Sequence, residues 1–240
     1  MKKQLVSEWK KLFSTRTVYL LTLGVAAIAI MAVLSVSGQS AVEAAKPLRE
    51  QQFFFIANFV KLLIVVLGIR VITDEYRFGT IVPTFVYEPR RWKVVAAKSI
   101  VALGAGLMMA AVAQLVLIGS ALAVFSTKGL DLAIDAHSIQ AIGGSVVAGA
   151  MWAAVGVAVG AVVRNQVTAI VGSFVWLMAV EEMIGSRLGD LAAYLPGGAG
   201  YGLILAAPNG GMLTSALVLG AYVVVGGAAG AFMVRARDVT

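Results

Sequence analysis

The residues best suited to do chemistry in this chain lie in one polar stretch, Thr73–Lys98, between two long apolar runs. It holds acidic and basic side chains in close succession: Asp74, Glu75, Arg77, Arg90, Arg91, Lys93 and Lys98. Opposite charges at a membrane boundary form ion pairs that fix one element against another, and an excess of Lys and Arg marks the cytoplasmic side. We therefore expect residues 73–93 to form a cytoplasmic element that docks a partner, unless these charges serve only to set topology.

The residue patterns of common catalytic sites are missing from the sequence. It has no Gly-x-x-x-x-Gly-Lys-[Ser/Thr] loop for ATP phosphates, no His-Glu-x-x-His zinc motif and no Gly-x-Ser-x-Gly serine nucleophile. There is no cysteine, so disulfides and thiolate metal sites are excluded. The single histidine, His137, has Asp131 and Asp135 nearby, which is more typical of a solvated surface than of a metal site. We predict a non-catalytic chain with no metal and no cofactor of its own.

Composition places the chain in the membrane class. Of its 240 residues 60% are hydrophobic, and the mean hydropathy is +0.92. An apolar run of about 20 residues crosses about 30 Å of hydrocarbon as an α-helix. We predict one all-α transmembrane domain over residues 1–240. Its six spans are predicted at 18–36, 53–72, 94–125, 139–163, 167–184 and 212–234.

Two further helical elements are predicted outside the spans. Residues 1–17 form an amphipathic helix on the membrane, with apolar residues at helical spacing: Leu5, Trp9, Leu12 and Phe13. Its other, polar side is predicted to carry Lys2, Lys3, Glu8, Lys10 and Lys11. The alternative is a plain basic flank of the first span. Residues 185–211 contain apolar pieces too short to span, broken by prolines and glycines, so we expect re-entrant helices between spans five and six on the external side.

The distribution of charge predicts topology rather than nucleic-acid binding. The net charge is +7, but the basic residues cluster beside the apolar runs, where anionic headgroups lie. Six spans place both termini on one side together with most of the Lys and Arg residues, so that side is predicted to be cytoplasmic. The chain is expected to be a multi-pass protein of a bacterial inner membrane, with the lipid bilayer and no nucleic acid among its partners.

Polar residues inside the predicted spans are candidates for a translocation path. Lys61 is the most costly of them, and it either faces such a path or a dimer interface, or it snorkels to a shallower depth. We expect a mostly apolar cavity between two protomers. Its predicted lining residues are Asn58, Lys61, Gln114, Phe174, Trp176 and Met178.

The motif Glu75-Tyr76-Arg77-x-Gly79-Thr80, followed by Pro89-Arg90-Arg91 and Lys98, resembles the segment between spans two and three of type 2 ABC exporter permeases. The six-span pattern agrees with this family along nearly the whole chain. Pro83 departs from it, because proline removes a hydrogen-bond donor inside the presumed coupling helix, so that helix either starts at Pro83 or breaks there.

The resemblance implies a permease subunit that works with separate ABC ATPase subunits, which hold the ATP and Mg²⁺. It implies that Tyr76–Glu88 forms the coupling helix, that residues 1–17 form the elbow helix, and that a second permease protomer, identical or a sister chain, completes the path. The ATPase-coupling residues it implies are Asp74, Glu75, Tyr76, Arg77, Phe78, Gly79, Thr80, Pro89, Arg90 and Arg91.

Within this resemblance, we expect Glu75 and Arg77 to form ion pairs that hold the coupling helix against the elbow helix and span three. The mostly apolar path predicts a hydrophobic or amphipathic substrate, such as a drug, a peptide or a lipid-like molecule. Two other classes stay open: a secondary transporter driven by an ion gradient, and a membrane scaffold that transports nothing.

Overall fold

The computed structural model describes residues 2–36, 47–127, 136–205 and 211–236, without the side chains of residues 36, 47–58, 137, 235 and 236. These parts of the chain are helical and contain no strand. The α-helices are α1 Lys2–Ser14, α2 Arg16–Val36, α3 Pro47–Arg77, α4 Ile81–Tyr87, α5 Arg91–Thr127, α6 Ala136–Val163, α7 Gln166–Val175, α8 Glu181–Leu188, α9 Pro196–Leu205 and α10 Gly211–Ala236. A π-helical turn, Trp176–Val180, joins α7 to α8, and a 3-10 helix, Gly189–Tyr194, follows α8.

Among the described residues, five helical segments are long and apolar enough to cross a membrane, which indicates a multi-pass membrane protein. They overlap the first, third, fourth, fifth and sixth predicted spans: Arg16–Ser35, Arg91–Thr127, Ser138–Val163, Gln166–Tyr194 and Gly211–Val234. The second predicted span, 53–72, lies inside the 31-residue helix α3, whose side chains are described only from Phe59 onward.

Helix α6 is the centre of the bundle, because α3, α5 and α10 all pack against it. Small residues bring the backbones together at these contacts. A Cβ atom on Gly68 of α3 would lie 2.0 Å from the Ala153 carbonyl oxygen of α6, and one on Gly106 of α5 would lie 2.6 Å from the Gly149 oxygen. Close backbone approach of this kind replaces the hydrophobic effect as the source of helix association inside a membrane.

Residues 73–93, which are predicted to dock a partner and which we call the coupling segment, differ from their predicted form. Helix α3 continues to Arg77, a turn follows, and the separate helix α4 has only seven residues, so the prediction of one helix over Tyr76–Glu88 is wrong. Gly79 ends α3 with φ +68°, in the left-handed region where glycine carries no steric cost. Pro83 is the third residue of α4, and the missing N–H costs nothing in a first helical turn.

The segment before the last membrane helix is built from short helices, as expected from its apolar pieces. Helix α9 has ten residues, too few to cross a bilayer, and packs against α6 and α10. The helical segment that contains the fifth predicted span, 167–184, continues through the π turn and α8 to Tyr194. Residues 206–210 lie outside the described residues, as do Asp131 and Asp135 and the side chain of His137.

Candidate functional site

Four charged side chains from three helices meet beside the coupling segment. Glu8 and Lys11 come from α1, Glu75 from the end of α3, and Lys98 from the second turn of α5. The Lys98 ammonium lies 2.6 Å from Glu8 Oε2 and 2.9 Å from Glu75 Oε1. Lys11 Nζ lies 3.0 Å from Glu8 Oε1 and 3.1 Å from Glu75 Oε1. Each carboxylate therefore contacts both cations, and we call this group the charge ring.

Burial makes the charge ring energetically important. Lys98 is 1% exposed, and both carboxylates are buried, whereas the Lys11 side chain is half exposed. Lys98 Nζ also donates a hydrogen bond to the Val71 carbonyl oxygen. Two positive and two negative charges cancel, so the group is tolerated away from water only while all four members are present.

The charged forms of Glu8 and Lys11 are favoured within the charge ring. Burial disfavours the charged form of Glu8, but the attraction of Lys98 and the hydrogen bonds from Lys98 and Lys11 outweigh it, so the pKa of Glu8 lies below its usual value. Burial likewise opposes the charge of Lys11, but the hydrogen bond to Glu8 and the charge of Glu75 raise the pKa of Lys11 above its usual value. Both pKa shifts favour the charged forms that the ion pairs require.

The structure brings Glu75 together with α1 and α5, as expected for that residue, but it does not bring Arg77 there. Arg77 Nη1 donates to Gln166 Oε1 at the start of α7, 3.2 Å away. Two residues apart on a helix, Glu75 and Arg77 point about 200° away from each other and cannot serve one site. Asp74 is also separate, because it pairs with Arg70 at 3.0 Å.

Sequence reasoning missed Glu8, although a signal was present. The sequence pattern assigned Glu8 and Lys11 to the polar, water-facing side of α1, whereas Glu8 is buried against α3 and α5. A lysine inside the apolar run of α5 requires a carboxylate partner, and α1 offers Glu8 as its one acidic residue. Burial of Lys98 could have predicted that pairing.

The apolar residues predicted for the elbow helix pack on the protein. The Trp9 and Phe13 ring centroids are 4.8 Å apart, and the Trp9 ring lies against Gly104 of α5, where a Cβ atom would approach it to 3.0 Å. Leu12 and Phe13 are partly buried against the core, and Leu5 is partly exposed. Helix α1 is thus held to α5 by its apolar face as well as by the charge ring.

Helix α4 packs against the protein on one side and exposes apolar side chains on the other. Ile81 is buried, and the Arg91 guanidinium lies 5.1 Å from the ring centroid of Phe85. On the other side Val86 is 76% exposed and Tyr87 is 80% exposed. Val82 and Phe78 are exposed with them, and we call these four residues the α4 apolar face. Of the four, only Phe78 is among the predicted coupling residues.

The other predicted coupling residues surround α4 without forming one cluster. Gly79 and Thr80 make the turn before α4, whereas Pro89 and Arg90 lie exposed between α4 and α5. Tyr76 packs under the Arg164 guanidinium at 5.6 Å. Two arginines also hold the end of α10: Arg91 Nη1 donates to the Val234 oxygen at 2.7 Å, and Arg164 donates to the Met233 oxygen. These bonds satisfy carbonyls that a helix end leaves without partners.

The residues predicted for a translocation path fall into two groups. Lys61 and Gln114 line one small cavity of about 30 Å³, room for a single water molecule, and Lys61 Nζ lies 5.8 Å from the Trp152 ring. Phe174, Trp176 and Met178 are instead exposed on α7 and the π turn, and none of them lines that cavity. The Asn58 side chain lies outside the described residues.

Trp176 lines a different space, an apolar groove of about 490 Å³ between α6, α7 and α10. Sequence spacing explains the separation of Trp176 from the other two large residues. Trp176 is two positions from both Phe174 and Met178, so helical geometry turns it to the other side of the helix, whereas Phe174 and Met178, four positions apart, share a face. In a single chain the five predicted residues whose side chains are described therefore do not line one common cavity, and a path between two protomers stays a prediction.

The carboxylate of Glu181, the first residue of α8, lies at the start of α9. It is buried, and Oε1 accepts hydrogen bonds from the backbone N–H groups of Gly197 and Gly198 at the start of α9. The helix N-terminus carries partial positive charge, which stabilises the carboxylate. A Cβ atom on Gly197 would come 2.6 Å from that oxygen, so glycine is required for this approach.

The described residues contain no group of three His, Cys, Asp or Glu side chains that would hold a metal ion. A scan against protein-family models finds no match for the chain. A search of curated proteins finds no match either.

Proposed function

We propose that this chain is the membrane-spanning permease subunit of an ATP-driven ABC exporter. It works as a dimer with an identical or sister protomer, and separate ATPase subunits bind the ATP and Mg²⁺. The observation that carries the proposal is the α4 apolar face, an exposed set of large apolar side chains on a short helix and the turn before it, between α3 and α5. Exposed apolar surface of this kind marks an interaction site.

The geometry around α4 suits the transmission of force. A push on α4 acts on α3 through the turn at Gly79 and on α5 through Arg91, whose side chain contacts Phe85. The charge ring then ties α3 and α5 to α1. Because the ring is buried and holds four charges, pulling one helix away leaves carboxylates unpaired, so the three helices move together. We propose that this movement opens a path between the two protomers.

The proposed topology has six spans, with α3 as the second. The charge ring and α4 lie on the cytoplasmic side of a bacterial inner membrane with both termini, because the basic residues gather there. Helix α1 is the elbow helix, and the short helices between α7 and α10 are re-entrant on the external side. The proposed substrate is hydrophobic or amphipathic, because the walls of the groove beside Trp176 are almost wholly apolar.

Co-purification from native membranes tests the proposal. The tagged chain is extracted in mild detergent, and the proteins that accompany it are identified and quantified. We expect a soluble ATPase in equal amount. We expect Val86→Glu to abolish its co-purification, because the variant would bury a charge at the proposed apolar contact with the ATPase. The matched control is Val6→Glu, an exposed valine on α1, which should retain the ATPase. A chain that purifies alone, with transport indifferent to ATP, contradicts the proposal.

One observation favours a secondary transporter as the second candidate. Lys61 and Glu181 are buried in helices that we assign to spans two and five, and a π-helical turn precedes Glu181. Buried charges beside an interrupted helix are typical of ion-coupled transport. Dissipation of the ion gradient in vesicles distinguishes the two: it stops a secondary transporter and leaves an ATP-driven exporter working.

A further inference from the structure

A groove of about 640 Å³ opens between the start of α5 and the end of α10. Its lining residues are Pro89, Arg90, Arg91, Trp92, Ala231 and Phe232. Both helices are candidate membrane spans that end here, at Arg91 and at Val234. The groove therefore lies at the depth of the lipid headgroups, whichever side of the membrane it faces.

The rim of the groove is cationic. Arg90 lines the groove and is exposed, and Lys93 directly follows the lining residue Trp92. Neither cation takes part in an ion pair within the described part of the chain. The nearest acidic residue in sequence, Glu88, accepts a hydrogen bond from the Arg90 backbone N–H at 3.3 Å. The N-terminus of α5 adds partial positive charge at the same place. This rim has the chemistry to hold a phosphate group.

The walls of the groove are aromatic. Trp92 is 56% exposed and Phe232 is 70% exposed, and they belong to different helices on the two sides of the groove. The Lys93 ammonium lies 6.0 Å from the Trp92 ring. A cationic rim above exposed aromatic walls at headgroup depth is complementary to a molecule with an anionic head and an apolar chain.

We propose that this groove binds one anionic phospholipid, such as phosphatidylglycerol. Arg90 and Lys93 bind its phosphate, and an acyl chain lies along Trp92 and Phe232. The site joins the first residues of α5, next to the coupling segment, to the end of α10. The inference goes beyond the proposed function, because it requires neither an ATPase nor transport.

Native mass spectrometry of the purified full-length chain in detergent tests the site. Phosphatidylglycerol and phosphatidylcholine are titrated separately. For each lipid, the fraction of the protein that carries one lipid molecule is measured. We expect wild type to bind one phosphatidylglycerol about tenfold or more tightly than phosphatidylcholine, since two cations contribute at the surface. Arg90→Gln with Lys93→Gln should abolish this preference, and Arg90→Lys with Lys93→Arg should restore it. Trp92→Ala should weaken binding of both lipids.

The matched control removes two exposed lysines of α1, with Lys3→Gln and Lys10→Gln. It loses the same charge at the membrane boundary and should keep the lipid preference. Equal loss in the control means diffuse attraction to anionic headgroups and overturns the proposal. Displacement of the lipid by inorganic phosphate, or wild-type binding by the Arg90 and Lys93 variant, overturns it as well. Circular dichroism verifies that each variant keeps its helix content.

Discussion

At the scale of single residues, Lys98 depends on two other helices. Its ammonium is buried in α5 only because Glu8 and Glu75 reach it from α1 and α3. Lys11 closes the ring from its outer side and stays half exposed. A group of this kind is stable as a whole and unstable when any buried member is removed.

Lys98→Met is expected to lower the free energy of unfolding by about 3–5 kcal/mol, because it leaves two buried carboxylates without their shared cation. The control is Lys10→Met on the exposed side of α1, where a change within about 0.5 kcal/mol is expected. Unfolding by denaturant in detergent measures both. Equal effects of the two changes would mean that the charge ring stabilises nothing.

The ring also predicts a dependence on acid pH. The pKa of Glu8 lies below its ordinary value of 4.5, so the unfolded chain takes up protons before the folded one. Its contribution to stability is complete above about pH 4.5 and is lost as the pH falls through the lower, folded-state pKa. Glu8→Gln should flatten the fall in melting temperature across this acid range. An unchanged slope would show that Glu8 does not titrate with folding.

The sequence alone predicted the role of some residues of this site and missed others. The charges around Glu75 predicted ion pairs with α1 and α5, and the structure brings Glu75 to both. The partner Glu8 was missed, because helical periodicity placed it with the lysines on the water-facing side of α1. Arg77 was grouped with Glu75 by closeness in sequence, whereas a helix turns residues two apart to opposite sides.

At the scale of elements, apolar length predicted most helices well, and backbone chemistry determined the breaks. The membrane helices overlap the predicted spans because length and hydropathy alone determine what crosses a bilayer. The bounds of α4 were not predictable from the family motif. They depend on a positive φ at Gly79 and on the position of Pro83 in the first turn. The π turn has no sequence signal that we recognise.

Close packing of α3 on α6 gives a prediction for Gly68. Gly68→Ala should lower the free energy of unfolding by about 1–3 kcal/mol or shift α3 away from α6, because the alanine Cβ would meet the Ala153 carbonyl oxygen of α6. Gly119→Ala is the control, since that glycine of α5 has nothing near its Cβ position. It should be neutral or stabilising by up to about 1 kcal/mol. Equal melting temperatures for both variants would exclude the close helix contact.

The link between Glu181 and α9 gives another prediction. Glu181→Gln should lower the free energy of unfolding by up to about 2 kcal/mol. A neutral amide lacks the attraction between a carboxylate and the partial positive charge at the start of a helix. Its neighbour Glu182 is exposed, and Glu182→Gln is the matched control. Hydrogen exchange at Gly197 and Gly198 measures the opening of α9 directly. Unchanged protection in the Glu181 variant would contradict the capping role.

At the scale of the whole molecule, the structure has one end rich in charge and an interior of closely packed small residues. The charge ring and the arginines that hold α10 lie together with the coupling segment, which contains α4. We infer that this end receives a signal from a soluble partner and that the bundle transmits it. The sequence predicts such an end from the distribution of charge, but not the exposed residues Val82, Val86 and Tyr87, which only the packing of α4 distinguishes.

Site-specific cross-linking tests the central claim most directly, because the native sequence contains no cysteine. Val86→Cys gives one thiol on the α4 apolar face, and Val6→Cys gives a matched exposed thiol on α1. In native membranes treated with a short thiol-to-amine cross-linker, we predict that Val86→Cys yields one adduct with a soluble ATPase subunit and that Val6→Cys yields none. Reaction of the thiol introduced at position 86 with an impermeant reagent added outside intact cells, with no ATPase adduct, would contradict the account.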